Sequence, residues 1–244
     1  MRLLLCLALL FASSCLSNGV GYRDQRCDPD ERLADLLADY DRAGNSGSCQ
    51  CEGDRDADGY SICGEGGHIV IDCDRVRNKL EALSFEYTRH VPALLANGMI
   101  SFEERDHITA QRYFDRLFAV QPIHPEAAVM RSRLGLREGN IPAARKLITE
   151  HIRHVPDHAG LHEAYAEILF LDGLYDEARE QIGIAEQLGA PIWRMAFNRG
   201  LIAETEGDLN HAITMYTVAL EIKPDMAQAS ARLKGAQAVM TQSR

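Results

Sequence analysis

Asp54, Asp56 and Asp58 alternate along a Gly- and Cys-rich stretch, Gly59 and Tyr60 follow at once, and Glu65 closes the run. Aspartates two apart can turn their oxygens toward one cation. Gly59 permits the sharp turn, Tyr60 lends its backbone carbonyl, and Glu65 offers two more oxygens. Hard oxygen donors of this kind select Ca²⁺ over softer metals. Asp54, Asp56, Asp58, Tyr60 and Glu65 are therefore a candidate calcium site, with a solvated acidic turn as the alternative that the spacing leaves open.

The flanks of this loop are not helical: Cys49, Cys51 and Gly53 precede it, and Gly64, Gly66 and Gly67 lie within and after its end. It differs there from an EF-hand. It looks more like the cysteine-stapled D-x-D-x-D-G-Y…C…D-C-D loops of secreted bacterial proteins. Cys63 fits that pattern, and Asp72-Cys73-Asp74 resembles its closing half, although the insertion over 64–71 is longer than the resemblance implies.

The cysteines that could staple such a region are Cys27, Cys49, Cys51, Cys63 and Cys73, all in the first third of the chain. Clustered cysteines in an exported segment too small for a core of its own imply disulfides. Cys63 is expected to pair with Cys73, since the two flank the Gly-rich turn and the short apolar run 68–71. Five is an odd number, so either one thiol pairs elsewhere or Cys15 makes a sixth.

Export is read from Met1-Arg2 and the apolar run 3–12, too short to span a bilayer as a mature helix. Ala12-Ser13-Ser14-Cys15 resembles a bacterial lipobox, which implies acylation of Cys15 and a membrane anchor. Ala12-x-Ser14 equally fits an ordinary signal-peptidase site with the same cut. Leu16 after the cysteine is not Asp, which implies an outer-membrane destination. The expected location is the periplasm or outer membrane as a lipoprotein, or alternatively secretion.

Histidines 151, 154, 158 and 162 fall close together, at spacings that a transition metal would accept, but no carboxylate or Cys shell accompanies them beyond Glu163. They read as surface histidines. The sequence lacks the G-x-S-x-G, H-E-x-x-H and P-loop spacings, and Cys49-x-Cys51 is not the C-x-x-C of thiol exchange. We expect no enzyme. The formal charge of −10 argues against nucleic acid, whose phosphates require clustered Lys and Arg.

What must position all of this is helical. Asp28-Pro29-Asp30-Glu31 is a helix start, with Leu33, Leu36, Leu37 and Tyr40 at helical spacing and Gly44 as the stop. A helix is expected over 74–95, kinked or interrupted by Pro92 and ended by Asn97-Gly98. Ser101-Phe102-Glu103-Glu104 reads as a capping box opening the next helix. Beyond it, residue types recur every 34 positions: Ala110, Ala144, Ala178 and Ala212; Gly139, Gly173 and Gly207; Phe114, Ile148, Ile182 and Tyr216; Pro122, Pro156 and Pro224. A helix–turn–helix unit of that length cannot bury its apolar face alone and must stack on its neighbours.

Trp193–Pro224 resembles a tetratricopeptide repeat at Gly200, Gly207-Asp208, Ala212, Tyr216, Ala219 and Pro224. The preceding unit does so at Ala166, Gly173, Tyr175, Ala178 and Ala185. The unit before that keeps Gly139, Ala144 and Pro156, but has Ser132 at the crossing and His151 where the others carry Ala. The expected organisation is a signal peptide (1–14), a tether (15–27), a Cys/Asp-rich module (28–73), a hairpin repeat-like only in its second helix (74–122), three repeats (125–224) and a capping helix (225–244). The fold class is thus all-α, a tetratricopeptide-like helix-hairpin solenoid with a C-terminal capping helix and a small disulfide-stapled, loop-rich N-terminal module.

The resemblance implies a concave groove for a protein or peptide, lined by Val129, Arg133, Leu136, Arg137, Glu163, Glu167, Phe170, Arg194, Phe197, Leu201 and Glu204. Val129 and Arg133 stand where chaperone-tail binders of the family carry Lys and Asn, so a chaperone tail is not expected. Arg133, Arg137 and Arg194 are expected to hold a partner's carboxylate, with Phe170 and Phe197 as apolar anchors, because the Ala and Gly series supplies the stacking. The function expected is an exported scaffold for envelope proteins with a calcium loop. The alternative is a secreted metal-binding or thiol-exchange protein whose repeats only mediate self-association.

Overall fold

The computed structural model describes residues 28–45 and 73–242. The calcium loop at 54–65, the Cys15 site, the signal segment and the short apolar run 68–71 lie outside them, as do Cys27, Cys49, Cys51 and Cys63. Cys73 is the first residue of a helix. Among the described residues the chain is entirely helical. It runs α1 (Pro29–Asn45), α2 (Cys73–Glu86), α3 (Val91–Glu103), α4 (His107–Val120), α5 (Pro125–Arg137), α6 (Ile141–His154), α7 (Ala159–Leu171), α8 (Tyr175–Gln187), α9 (Ile192–Thr205), α10 (Leu209–Ile222) and α11 (Ala227–Gln242). No helix among them is long and apolar enough to cross a membrane. They fall into two compact units, divided along the chain after Asn97.

In the first unit α1 packs on α2, burying Leu33 and Leu36 from one and Val76, Leu80 and Leu83 from the other. Asp28 caps α1, its carboxylate accepting from the Asp30 N–H at 2.9 Å. The helix expected over 74–95 is interrupted rather than kinked at Pro92. α2 ends at Glu86, and Val91-Pro92 opens α3, where a proline in the first turn sacrifices no hydrogen bond. Asn97-Gly98 does not stop α3. The buried Asn97 amide donates to the carbonyls of Leu80 and Ala93, at 3.0 and 2.9 Å, so its polarity is satisfied inside the helix. Ser101-Phe102-Glu103 lies within α3 too, and the next cap is Asp106, accepting from Thr109 N–H at 3.1 Å.

The second unit is a run of helical hairpins. Each turn places one residue in the left-handed region: Gly139, Gly173 and Gly207 have φ of 74°, 76° and 85°. Without a Cβ, glycine adopts that conformation at little cost. Arg105 holds the equivalent place one period earlier, with φ 65°. Asp106, Asn140 and Asp208 then cap the second helices.

Where the two helices of a hairpin cross, a small residue faces a large one, and the two sizes vary together. Gly98 faces Phe114 and Gly200 faces Tyr216: a Cβ added at either glycine would lie 2.6 Å or 2.5 Å from a ring carbon. The 34-residue period pairs Ser132 with Ile148 and Ala166 with Ile182 at the corresponding places. A slightly larger crossing residue thus goes with a narrower partner, keeping close packing in each hairpin. Successive hairpins join as α5 on α7, α6 on α7 and α8 on α9, and α11 covers α10 through Ala229 and Leu233. Ion pairs repeat with the period as well: Arg145 meets Asp172 and Arg179 meets Glu206, each acid being a helix C-cap one hairpin on.

Candidate functional site

The first helices α5, α7 and α9 present the residues expected to line a groove. Most of the charged ones are already paired within the chain. Arg133 of α5 binds Glu167 of α7 in a fork, with Nη2 to Oε1 2.8 Å and Nε to Oε2 3.3 Å. Its Nη2 also lies 3.6 Å from Oε1 of Glu163, and Arg194 Nε of α9 lies 2.7 Å from that same oxygen. The Arg194 contact is an ion pair without hydrogen-bond alignment, since its Nε–H has no hydrogen-bond partner at all. Two guanidinium and two carboxylate groups thus tie three consecutive hairpins together.

Glu163 is the strained member, 2% exposed. Burial raises its carboxyl above the ordinary value of 4.5. Arg194 pulls it back, Glu167 adds to the rise, and Arg133 opposes it, leaving it raised. Arg133 is also desolvated, but Glu167 more than compensates and holds its proton more firmly than usual. The two shifts describe one arrangement, in which Arg133 is satisfied mainly by Glu167, and Glu163 leans on Arg194 across an imperfect contact.

The other expected groove residues divide in the same way. Arg137 stacks on the Phe102 ring, 4.9 Å from its centroid, and donates toward His107 Nε2 at 3.1 Å. Glu204 accepts from the Tyr216 hydroxyl at 2.5 Å and meets Arg232 at 3.2 Å. Burial, followed by that hydrogen bond, pushes the Tyr216 phenol up. Phe197 packs on the Tyr216 ring, with centroids 5.7 Å apart, and Val129 packs on the Ala128 and Leu161 cluster. The expectation that Arg133 and Phe197 stand apart from the stacking is therefore corrected. Arg133 bridges hairpins, and Phe197 belongs to the packing of its own.

What the groove leaves open is apolar. A cavity of about 210 Å³ spans the three first helices, lined by Leu136 of α5, Phe170 and Leu171 of α7 and Leu201 of α9, with Ile182 at its base. Glu167, already paired to Arg133, and Asn198 are its polar edges. Leu136, Glu167, Phe170 and Leu201 were legible from the repeat phase. Asn198 and Leu171 were not, although both lie on first helices beside residues that were. Phe170 rests against Tyr175, with ring centroids 5.8 Å apart, so this wall of the cavity is braced. Among the described residues no group of His, Cys, Asp or Glu is arranged to hold a metal ion.

The tetratricopeptide repeat family model matches residues 95–156 and 136–187. No curated protein matches the chain. Among solved structures, a tetratricopeptide repeat protein from Parabacteroides merdae superposes with a TM-score of 0.58 at 20% identity, over 67% of this chain and 64% of that one. A thermophilic tetratricopeptide repeat protein from Thermus thermophilus gives 0.59 at 19% identity, over 67% and 90%. A chain of the APC/C hetero-tetramer Cut9–Hcn1 gives 0.59 at 16%, over 67% and 33%. At these identities the likeness speaks for the fold: the hairpin array has the tetratricopeptide-repeat architecture.

Proposed function

We propose that the chain is a scaffold that binds a protein or peptide segment across α5, α7 and α9, and that its anchor is an apolar side chain rather than a carboxylate. The observation that carries this is the open cavity lined by Leu136, Phe170 and Leu201, set beside arginines that the chain has already neutralised. A pocket of about 210 Å³ accommodates a large aliphatic or aromatic side chain. Binding energy in such surfaces concentrates in a few buried apolar anchors. The repeat fold supports a scaffold over a catalyst, and one structural neighbour comes from a hetero-tetramer.

Export, a lipid on Cys15 and a calcium-dependent loop remain part of the proposal, on the support of the N-terminal run and the Asp54–Glu65 spacing. The scaffold would then serve the cell envelope. A photo-crosslinker at Leu171, which is 52% exposed at the cavity rim, tests the binding claim in the native host. Cross-linked partners should disappear when Leu201→Glu places a charge in the cavity while the helical signal is retained. Unchanged cross-links would reject the groove. Calorimetry on Asp54→Asn with Asp58→Asn tests the calcium site, where unchanged affinity counts against it. The mature mass tests cleavage before Cys15 and its acylation, and an intact Met1 would overturn export.

A further inference from the structure

One seam of the array is built differently from the rest. The position of His151 at the end of α6 is filled one and two periods later by Ala185 and Ala219, and that of His158 by Ile192 and Met226. His124, one period before His158, lies at the same seam. Three imidazoles thus meet where the second hairpin (α5–α6) joins the third (α7–α8), and two of them, His151 and His158, hold places which the next seam gives to Ala185 and Ile192.

The surroundings suit neutral rings. His151 is 2% exposed, as buried as the alanines at its place in later repeats, and His162 is 7% exposed, so the expectation of surface histidines is corrected for both. Its Nδ1 lies 2.8 Å from the Leu147 carbonyl and donates to it, and its ring stands edge-on to Phe118 at 5.7 Å. Its buried Nε2 has no hydrogen-bond partner, and neither has the buried Nδ1 of His158. A proton added at either nitrogen would bring a charge into the seam with no acceptor. His124 caps α5 through Nδ1, accepting from the Ala127 N–H at 3.4 Å, a role that it loses when that nitrogen is protonated.

Glu126 is the carboxylate that reaches the cluster, 3.2 Å from His124 Nδ1 and 3.4 Å from His158 Nε2. It is exposed, and one charge cannot balance three. α4 contributes Phe118, while its Asp115 is turned to Arg131. Arg153 and His154 of α6 point to solvent. His162 of α7 is satisfied by Gln181 and the Pro156 carbonyl, at 2.8 and 2.7 Å.

We propose that this seam is a proton-sensitive joint: protonation of His124, His151 and His158 loosens α6 and α7 where they meet, while the seam between α8 and α9 stays closed. Burial holds His124 below its ordinary value of 6.5, against the pull of Glu126 and of its own backbone hydrogen bond, and His151 and His158 add to the lowering. The unfolded chain then takes up that proton first. The stability it contributes is present above pH 6.5 and is lost as the pH falls through that value toward the folded one. Glu163 in the same pair of hairpins acts in the opposite sense, since acid relieves its buried charge, so the joint must be tested locally.

Hydrogen exchange of the full chain, corrected for the intrinsic rate, should show amides at the α6–α7 junction losing about tenfold protection between about pH 7.5 and about pH 5.5. Those at the α8–α9 junction should keep theirs. Replacing His151→Ala with His158→Ile gives these two places the residues of the next seam and should reduce the response, leaving only the part carried by His124. If that variant does not fold, His124→Asn retains the cap without the titration and should reduce the response. Equal loss at both seams, or an unchanged response in the folded variant, would overturn the proposal.

Discussion

The matched sizes at the hairpin crossings can be tested by exchanging one pair for another. In Gly200→Ala the new Cβ would lie 2.5 Å from Cε1 and 2.7 Å from Cδ1 of Tyr216, a fully buried ring tied to Glu204 by its hydroxyl. Alanine gains about 1 kcal/mol in helix propensity over glycine. Overpacking a filled site costs about 1–3 kcal/mol, and so short an approach to a held ring belongs at the upper end. A net loss of about 1–2 kcal/mol follows. Tyr216→Ile alone leaves a void where the ring reaches beyond isoleucine, removes the hydrogen bond to Glu204, and should cost about 2–3 kcal/mol. Together, however, the two changes recreate the pair Ala166 and Ile182 already used one hairpin earlier. The double variant should therefore be more stable than the sum of the singles by at least about 1 kcal/mol. Urea unfolding can be followed through Trp193, the single tryptophan of the chain, which lies in the same hairpin with Lys223 over its ring at 4.3 Å. Losses that add to within about 0.5 kcal/mol would show that the crossing pair is not coupled and refute the size-matching argument.

Other places where one repeat departs from its siblings carry their own tests. Arg105 sits at φ 65° where the later turns use glycine, so Arg105→Gly should stabilise the chain by about 0.5–1 kcal/mol, the left-handed cost less the entropy of glycine, and a loss in urea midpoint would contradict this. Leu174 occupies a cap position with no side-chain hydrogen bond and is 39% exposed, so Leu174→Asp should gain about 1 kcal/mol by thermal melting, and no gain would mean that the cap site is not free to form. Glu163 is raised above 4.5 in the fold, so its contribution is fully present below that value and is lost as the pH rises through the folded value. The stability of the wild type relative to Glu163→Gln should accordingly fall as the pH rises from about 4 to about 7, and a flat difference would remove the buried charge from consideration.

The array was legible in the sequence because stacking repeats one geometric demand every 34 residues, and Ala, Gly and a large side chain answer it each time. The hairpin of α3 and α4 was half concealed because its turn carries Arg105 in place of glycine, while Gly98 served the Phe114 ring and was read as a stop. Local signals misled there since tertiary contact decides them: Asn97 breaks a helix only when its amide has no carbonyl to reach, and here Leu80 and Ala93 supply two. The groove was legible in outline and misjudged in chemistry. Arg133 and Glu167 are 34 residues apart, so the period that placed both on one face also made them neighbours on adjacent hairpins. Opposite charges at the same repeat phase are read more safely as partners of each other than as hands held out to a ligand. Applied to α5, α7 and α9, that rule leaves the apolar hollow at Leu136, Phe170 and Leu201 as the part of this face whose groups are not paired within the chain, which is why the proposed ligand is given an apolar anchor.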